Sequence, residues 1–550
     1  MTQQDTPPQG RRIGMVVGGS LSQGVEVKLD ESTQVDDVQV GTFVVLRSER
    51  KSYLCTVSDI ALTSTDDRIR LNPPDVADPF VAQVMKGTAA YGSLTVAPRL
   101  TLPAVAGDDS VHPEPARSIP PHFTPVYTAS ERDIQMVFGE EGDRHFWIGN
   151  PLDMETKVCL DMEELVRRSS GIFGKSGTGK TFLTRLLLTG ILQRDVASAL
   201  VFDMQSEYGW QGPREGGGYV KGLKQLFGSK VAVFSLDEEH SRRRGLTPDC
   251  VLQVGYDEIE PEDIELLRET LGLSDVAAAA AYDLRRRFGK GWLGEFVEME
   301  GRDAVFDLAN SLGVHPQALG SLHNRLSRLK RFGFMQPKAQ DDSVQRILSY
   351  LDRGMHVVLE FGRYGRDLTA YVLVSNLLTR RIHGWYVVRK EESEGGAGKE
   401  PRPLVIVIEE AHRFLSPQVA SQTIFGNIAR EMRKYNVTLM VIDQRPSAID
   451  AEVMSQIGTK VTCLLDNERD VDSVLSGVSG GRELRAVLSR LETTQQALIF
   501  GHAVPMPVAV RVREYGSAAS YSALSSRAGA AHTAADASAR DREIEELFGA

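Results

Sequence analysis

Eight consecutive residues, Gly174-Lys-Ser-Gly-Thr-Gly-Lys-Thr181, carry the most specific chemistry in this chain. They fit the spacing GxxxxGK[ST], follow the apolar pair Ile172-Phe173 and lead into a helical run from Phe182 to Leu192. Glycines at this spacing let backbone N–H groups curl around a phosphate, while the following helix directs its positive dipole end at the same anion. The expected nucleotide contacts are Gly174, Ser176, Gly177, Thr178, Gly179, Lys180, Thr181 and Phe182. Lys180 reaches the β- and γ-phosphates, and the Thr181 hydroxyl ligates Mg²⁺. The chemistry implied is binding and hydrolysis of Mg·ATP.

Two further apolar runs end on polar side chains. Leu404-Val-Ile-Val-Ile-Glu409-Glu410 reads as a buried strand ending in two acids, against the plainer reading of a solvated acidic end. Beside a phosphate-binding loop, Glu409 is expected to hold Mg²⁺ through water and Glu410 to polarise the attacking water. Val437 to Asp443 is a second such strand, after which Gln444 either senses the γ-phosphate or merely begins a turn before Pro446. Arg430 and Arg433, three residues apart on a helix, either pair with local acids or place one guanidinium on a neighbouring subunit's γ-phosphate.

These groups need a sheet to hold them. From Phe146 onward, apolar strand candidates alternate with helical stretches, which implies a parallel sheet covered by helices on both faces. Residues 124–238 and 347–515 form the two parts of this α/β core. Between them, residues 239–346 lose the alternation and show helical periodicity with capping signals, as expected of a helical insertion. Residues 1–103 alternate in short runs separated by Gly, Asp and Ser, the pattern of a small N-terminal β-barrel. Residues 104–123, rich in Pro and Asp, read as a linker. Residues 516–550 form an Ala- and Ser-rich tail whose last segment, Asp541 to Phe548, is a short amphipathic helix.

At 550 residues with 41 % hydrophobic and 25 % charged side chains, the chain has the composition of folded multidomain proteins. Its net charge of -11 excludes coating of nucleic acid or anionic lipid by the whole surface, but not a local basic channel. Cys55, Cys159, Cys250 and Cys463 are scattered without metal-ligand spacing and read as reduced core residues of a cytoplasmic protein. No segment approaches the roughly 18 apolar residues of a membrane span.

Several segments together resemble the HerA-like ATPases of the HerA/FtsK superfamily: the phosphate loop, Asp203-Met-Gln-Ser-Glu207-Tyr208, Glu409 to Phe414, Arg430 to Tyr435 and Asp443 to Ser447. Where that family usually has His-Gly before Glu-Tyr, this chain has Gln205-Ser206. The resemblance implies a RecA-like P-loop core with a helical insertion behind a HAS-barrel-like domain, and a homo-hexameric ring translocating double-stranded DNA. It further implies Glu410 as the catalytic acid, Gln444 as the sensor, and Arg430 or Arg433 as a finger acting across subunits. The implied partner is a nuclease bound through the barrel, NurA-like in DNA-end processing or an effector in antiviral defence. Phosphate contacts to the duplex are expected among Arg242 to Arg244, Arg285 to Arg287, Arg325, Arg328, Lys330 and Arg331. The alternative is a ring in which ATP controls assembly and the barrel recruits and activates the nuclease.

Overall fold

The computed structural model describes residues 10–525 apart from 76, 78, 86–88, 103–112, 214–217, 340–341, 421–422 and 479. The terminal segment from Asp541 lies outside the described residues. The chain divides into two compact units, the first built from residues 1–161, 461–464 and 477–513 and the second from 162–460, 465–476 and 514–550.

In the first unit, six antiparallel strands close into a barrel in the order Gly24–Leu29, Arg12–Ser20, Pro125–Thr128, Phe43–Arg47, Ser52–Ser64 and Ala90–Leu102, the last pairing back onto the first. Their inward residues, among them Val25, Val27, Val44, Leu94 and Val96, are fully buried. The closing strand Pro125–Thr128 follows the Pro-rich stretch rather than preceding it. It is only four residues long and starts on a proline, which a strand tolerates at its first position, so its alternation was too short to read. Four further strands of this unit, Gln496–Gly501, Val508–Val512, His145–Pro151 and Val158–Asp161, pair antiparallel in that order.

The second unit holds a parallel sheet with principal order Val231–Ser235, His356–Glu360, Ser198–Asp203, Leu404–Glu409, Val437–Asp443 and Ser170–Phe173. Nearly every residue of these strands is buried, because helices such as Lys180–Arg194 and Leu368–Glu394 cover the sheet. The α/β core with a helical insertion behind a barrel is therefore the architecture present. The insertion contains Asp275–Phe288, Arg302–Leu312 and Pro316–Leu326. Its core includes Trp292, fully buried, whose Nε1 donates to the Ile259 carbonyl at 2.8 Å.

Candidate active site

Four neighbouring strands end on an acid at one edge of the parallel sheet: Asp203, Glu360, Glu409 and Asp443. Ligands of open α/β sheets bind at this carboxyl edge, and the phosphate loop leaves the sheet there from Ser170–Phe173. Gly177 and Gly179 adopt φ of 78° and 86°, a conformation that favours glycine. Lys180 Nζ and Thr178 Oγ1 each donate to the Lys175 carbonyl at 2.8 Å, so the loop is folded on itself.

A cleft of about 360 Å³ opens above the loop. Ser176, Gly177, Gly179, Lys180, Thr181 and Phe182 line it, together with Glu409, Glu410 and Gln444 from the far strands. Gly174 and Thr178 support the loop from behind rather than lining the cleft; the Gly174 N–H donates to the Asp443 carbonyl.

The turn after Asp203 is fastened on every side. Asp203 is fully buried and accepts the N–H groups of Glu207 at 2.9 Å and Tyr208 at 2.8 Å. Burial raises its pKa, against the opposing pull of those N–H groups. The Glu207 carboxyl takes a hydrogen bond from the Thr181 side chain, and burial raises its pKa as well. The Glu207 carbonyl accepts Nε and Nη2 of Arg185, at 3.1 and 2.6 Å. Arg185 is fully buried and stacks over the Phe182 ring at 5.4 Å.

Glu409 receives the Tyr208 hydroxyl on Oε1 at 2.8 Å, while its backbone N–H and carbonyl bracket the Tyr371 hydroxyl at 3.2 and 3.0 Å. Its Oε2 is buried with no protein partner among the described residues. Burial, reinforced by the Asp203 charge, pushes the Glu409 pKa up to about 8. Glu410 stands at φ 48°, an uncommon conformation for a residue with a side chain. Gln444 Nε2 donates to Glu410 Oε1 at 3.2 Å. His412 gives both its backbone N–H (2.7 Å) and Nδ1 (2.9 Å) to Asp443 Oδ2, and Nδ1 lies 3.6 Å from Glu410 Oε2. This tautomer follows because the carboxylate can only accept while it is ionised.

The donors fit a nucleotide and a divalent cation. Backbone N–H groups of the loop and Lys180 line the cleft beside hard oxygen ligands from Thr181 and the carboxylates, including the unpartnered Glu409 oxygen.

Residues 146–382 match the family described as Helicase HerA, central domain. The DNA double-strand break repair helicase HerA of Sulfolobus acidocaldarius is 32 % identical over 512 residues, covering 92 % of this chain and 93 % of its own. The chain belongs to the HerA family. The protein of the same name from Pyrococcus furiosus is 24 % identical, over 71 % of this chain and 73 % of its own. Among solved structures, the bacterial conjugative coupling protein TrwBdeltaN70 in its unbound monoclinic form covers 71 % of this chain and 93 % of its own, with 13 % identity and a TM-score of 0.46. As a HerA protein with this cleft, the chain is a P-loop ATPase.

One expected group of this HerA site stands apart from the cleft. Arg430 Nε pairs with Glu452 Oε2 at 3.2 Å within the same chain and does not line it. Arg433 belongs to the helical turn Met432–Tyr435, and its side chain lies outside the described residues. Arg185, Tyr208, His412 and Asp443, to which the sequence assigned no role, are in or against the cleft. The signal for Asp443 was an acid closing an apolar run; nothing local marked Arg185, which donates to the Glu207 carbonyl in the turn after Asp203. Most of the basic candidates are ion-paired, Arg242 with Glu238, Arg285 with Glu260 and Arg331 with Asp367 among them. Arg325 and Arg328 have no acidic partner among the described residues. No helix among the described residues is long and apolar enough to cross a membrane.

Proposed function

We propose that this protein is an ATP-driven translocase of double-stranded DNA that works as a ring of six copies with a nuclease in DNA-end processing. The observation that carries the reading is the convergence of the phosphate loop, two strand-end acids and a glutamine on one cleft. Its support beyond the site is the relatives named as DNA double-strand break repair helicases.

In this reading the loop N–H groups and Lys180 bind the phosphates, with Phe182 against the nucleoside. Thr181 and Glu409 hold Mg²⁺, which when bound neutralises charge on the β- and γ-phosphates. Glu410 orients the attacking water and accepts its proton. Asp443 fixes the His412 ring beside Glu410, and Gln444 holds the Glu410 carboxylate in place. Gln444 reports the γ-phosphate because its amide can exchange the Glu410 oxygen for a phosphate oxygen. Arg430 or Arg433 acts on a neighbour's nucleotide, for which Arg430 must leave its exposed partner Glu452, an exchange that costs on the order of 1 kcal/mol or less. The barrel recruits the nuclease.

Steady-state ATP hydrolysis by the wild type and Glu410→Gln, each with and without linear duplex DNA, tests this. Duplex stimulation that disappears in Glu410→Gln is the expected result. Hydrolysis indifferent to duplex would instead favour a ring whose ATP controls assembly and nuclease activation, and full turnover in Glu410→Gln would remove that residue from its role.

A further inference from the structure

The barrel carries an open groove of about 900 Å³ between the turn at residues 48–51 and the segment 121–125. Phe123 stands on its rim with 73 % of its surface exposed. Its backbone has φ 64°, which costs a bulky side chain free energy and persists only where neighbours enforce it. The enforcement is visible: the Phe123 N–H donates to the Val16 carbonyl at 2.8 Å, and Thr124 Oγ1 closes the turn on the Pro121 carbonyl at 2.7 Å. The ring is thus held outward beside His122, whose ring centre lies 6.1 Å away.

Cations face these rings across the groove. Arg47 is held by both oxygens of Asp133, at 2.9 and 3.0 Å, so its charge is matched. Arg50 and Lys51 are exposed and have no acidic partner among the described residues, and Glu49 is the one acid among the lining residues. The turn that presents them is fixed by Ser48, whose Oγ donates to the Lys51 carbonyl at 2.7 Å and accepts the Lys51 N–H at 3.1 Å.

We infer that this groove binds one unpaired strand of DNA, with a base stacked on Phe123 and the adjoining phosphates on Arg50 and Lys51. A preorganised ring on the same groove as a pair of unmatched cations is what a single strand requires, because its bases have free faces. In a duplex those faces are already stacked on one another, so Phe123 has nothing to cover. The choice of DNA over RNA rests on the translocase reading, in which the opened end of the duplex supplies the strand; the binding of a strand here does not require a working motor.

The test uses the full chain without nucleotide and a fluorescein-labelled oligo(dT) of about 15 nucleotides, near the upper site size of a small barrel. Phe123→Gly removes the ring and also suits the left-handed backbone, so the fold is not put at risk. It should weaken binding roughly 5- to 100-fold, the range for loss of one stacked base, while ATP hydrolysis is unchanged. Arg50→Glu with Lys51→Glu should weaken binding and flatten its salt dependence. An oligonucleotide carrying 5-iododeoxyuridine, irradiated on the wild type, should cross-link within the tryptic peptide Ser118–Arg132. Unchanged affinity in both variants overturns the proposal, and so do cross-links confined to other peptides, equal weakening for a blunt duplex, or oligo(rU) bound more tightly than oligo(dT). Failure of the motor reading would show separately, as hydrolysis indifferent to duplex with this binding intact.

Discussion

His356 offers a quantitative check on the second unit's interior. It begins the interior strand His356–Glu360 with 2 % of its surface exposed, and its Nδ1 accepts the Ala199 N–H at 3.2 Å. Burial, reinforced by the charges of Arg402 and Lys230, lowers its pKa to about 3. The folded protein therefore keeps this ring neutral, whereas the unfolded chain takes up a proton as pH falls through about 6.5. Stability contributed by the neutral ring is whole above about 6.5 and is lost as pH falls toward 3, because over that window the unfolded state binds more protons. Integrating between pH 7.5 and 5 gives a loss of about 2 kcal/mol from this one residue. His356→Asn keeps an acceptor for Ala199 and does not titrate, so its stability should fall by about 2 kcal/mol less over the same interval. Urea unfolding followed by tryptophan fluorescence reads the right region, since Trp210, Trp292 and Trp385 lie in the second unit and only Trp147 in the first. Parallel losses in the two proteins would refute the reasoning.

Arg430→Ala and Arg433→Ala should each bind ATP with ordinary affinity, and the one that acts across subunits should lose turnover by roughly 10³-fold; normal hydrolysis in both removes the finger from these positions. Gln444→Ala should lower kcat about 10- to 100-fold, because it frees the Glu410 carboxylate without touching the phosphate loop; a rise in KM alone would speak against positioning. Gly365→Ala places a Cβ 1.8 Å from the Met204 carbonyl oxygen and should destabilise the second unit by about 1–3 kcal/mol in the same urea assay.

Local pattern made much of this molecule legible. The phosphate loop, the apolar strands and the acids at their ends announce themselves because each is specified by residues adjacent in the chain. The left-handed backbone at Glu410 was not legible, since no glycine or asparagine marks it and the conformation is imposed by the strand partners around it. Nor was the fastening of the turn after Asp203: Arg185, Thr181 and Glu409 reach it from segments far apart in sequence. The barrel's closing strand was hidden by brevity and by the prolines before it. Arg430 was legible as a helical arginine, but not its partner, because Glu452 lies 22 residues further along the chain.

The strand order in the second unit has a consequence for how the protein is made. Strands from before the insertion (170–173, 198–203, 231–235) are interleaved with strands from after it (356–360, 404–409, 437–443) rather than forming two blocks. The phosphate-loop strand ends at Phe173, and its parallel partner ends 270 residues later at Asp443. At ribosomal rates of about 5–20 residues per second, that strand waits roughly 15–55 s for its pairing. Until then the nascent chain exposes an apolar strand edge without this neighbour, the kind of surface that chaperones shield during synthesis.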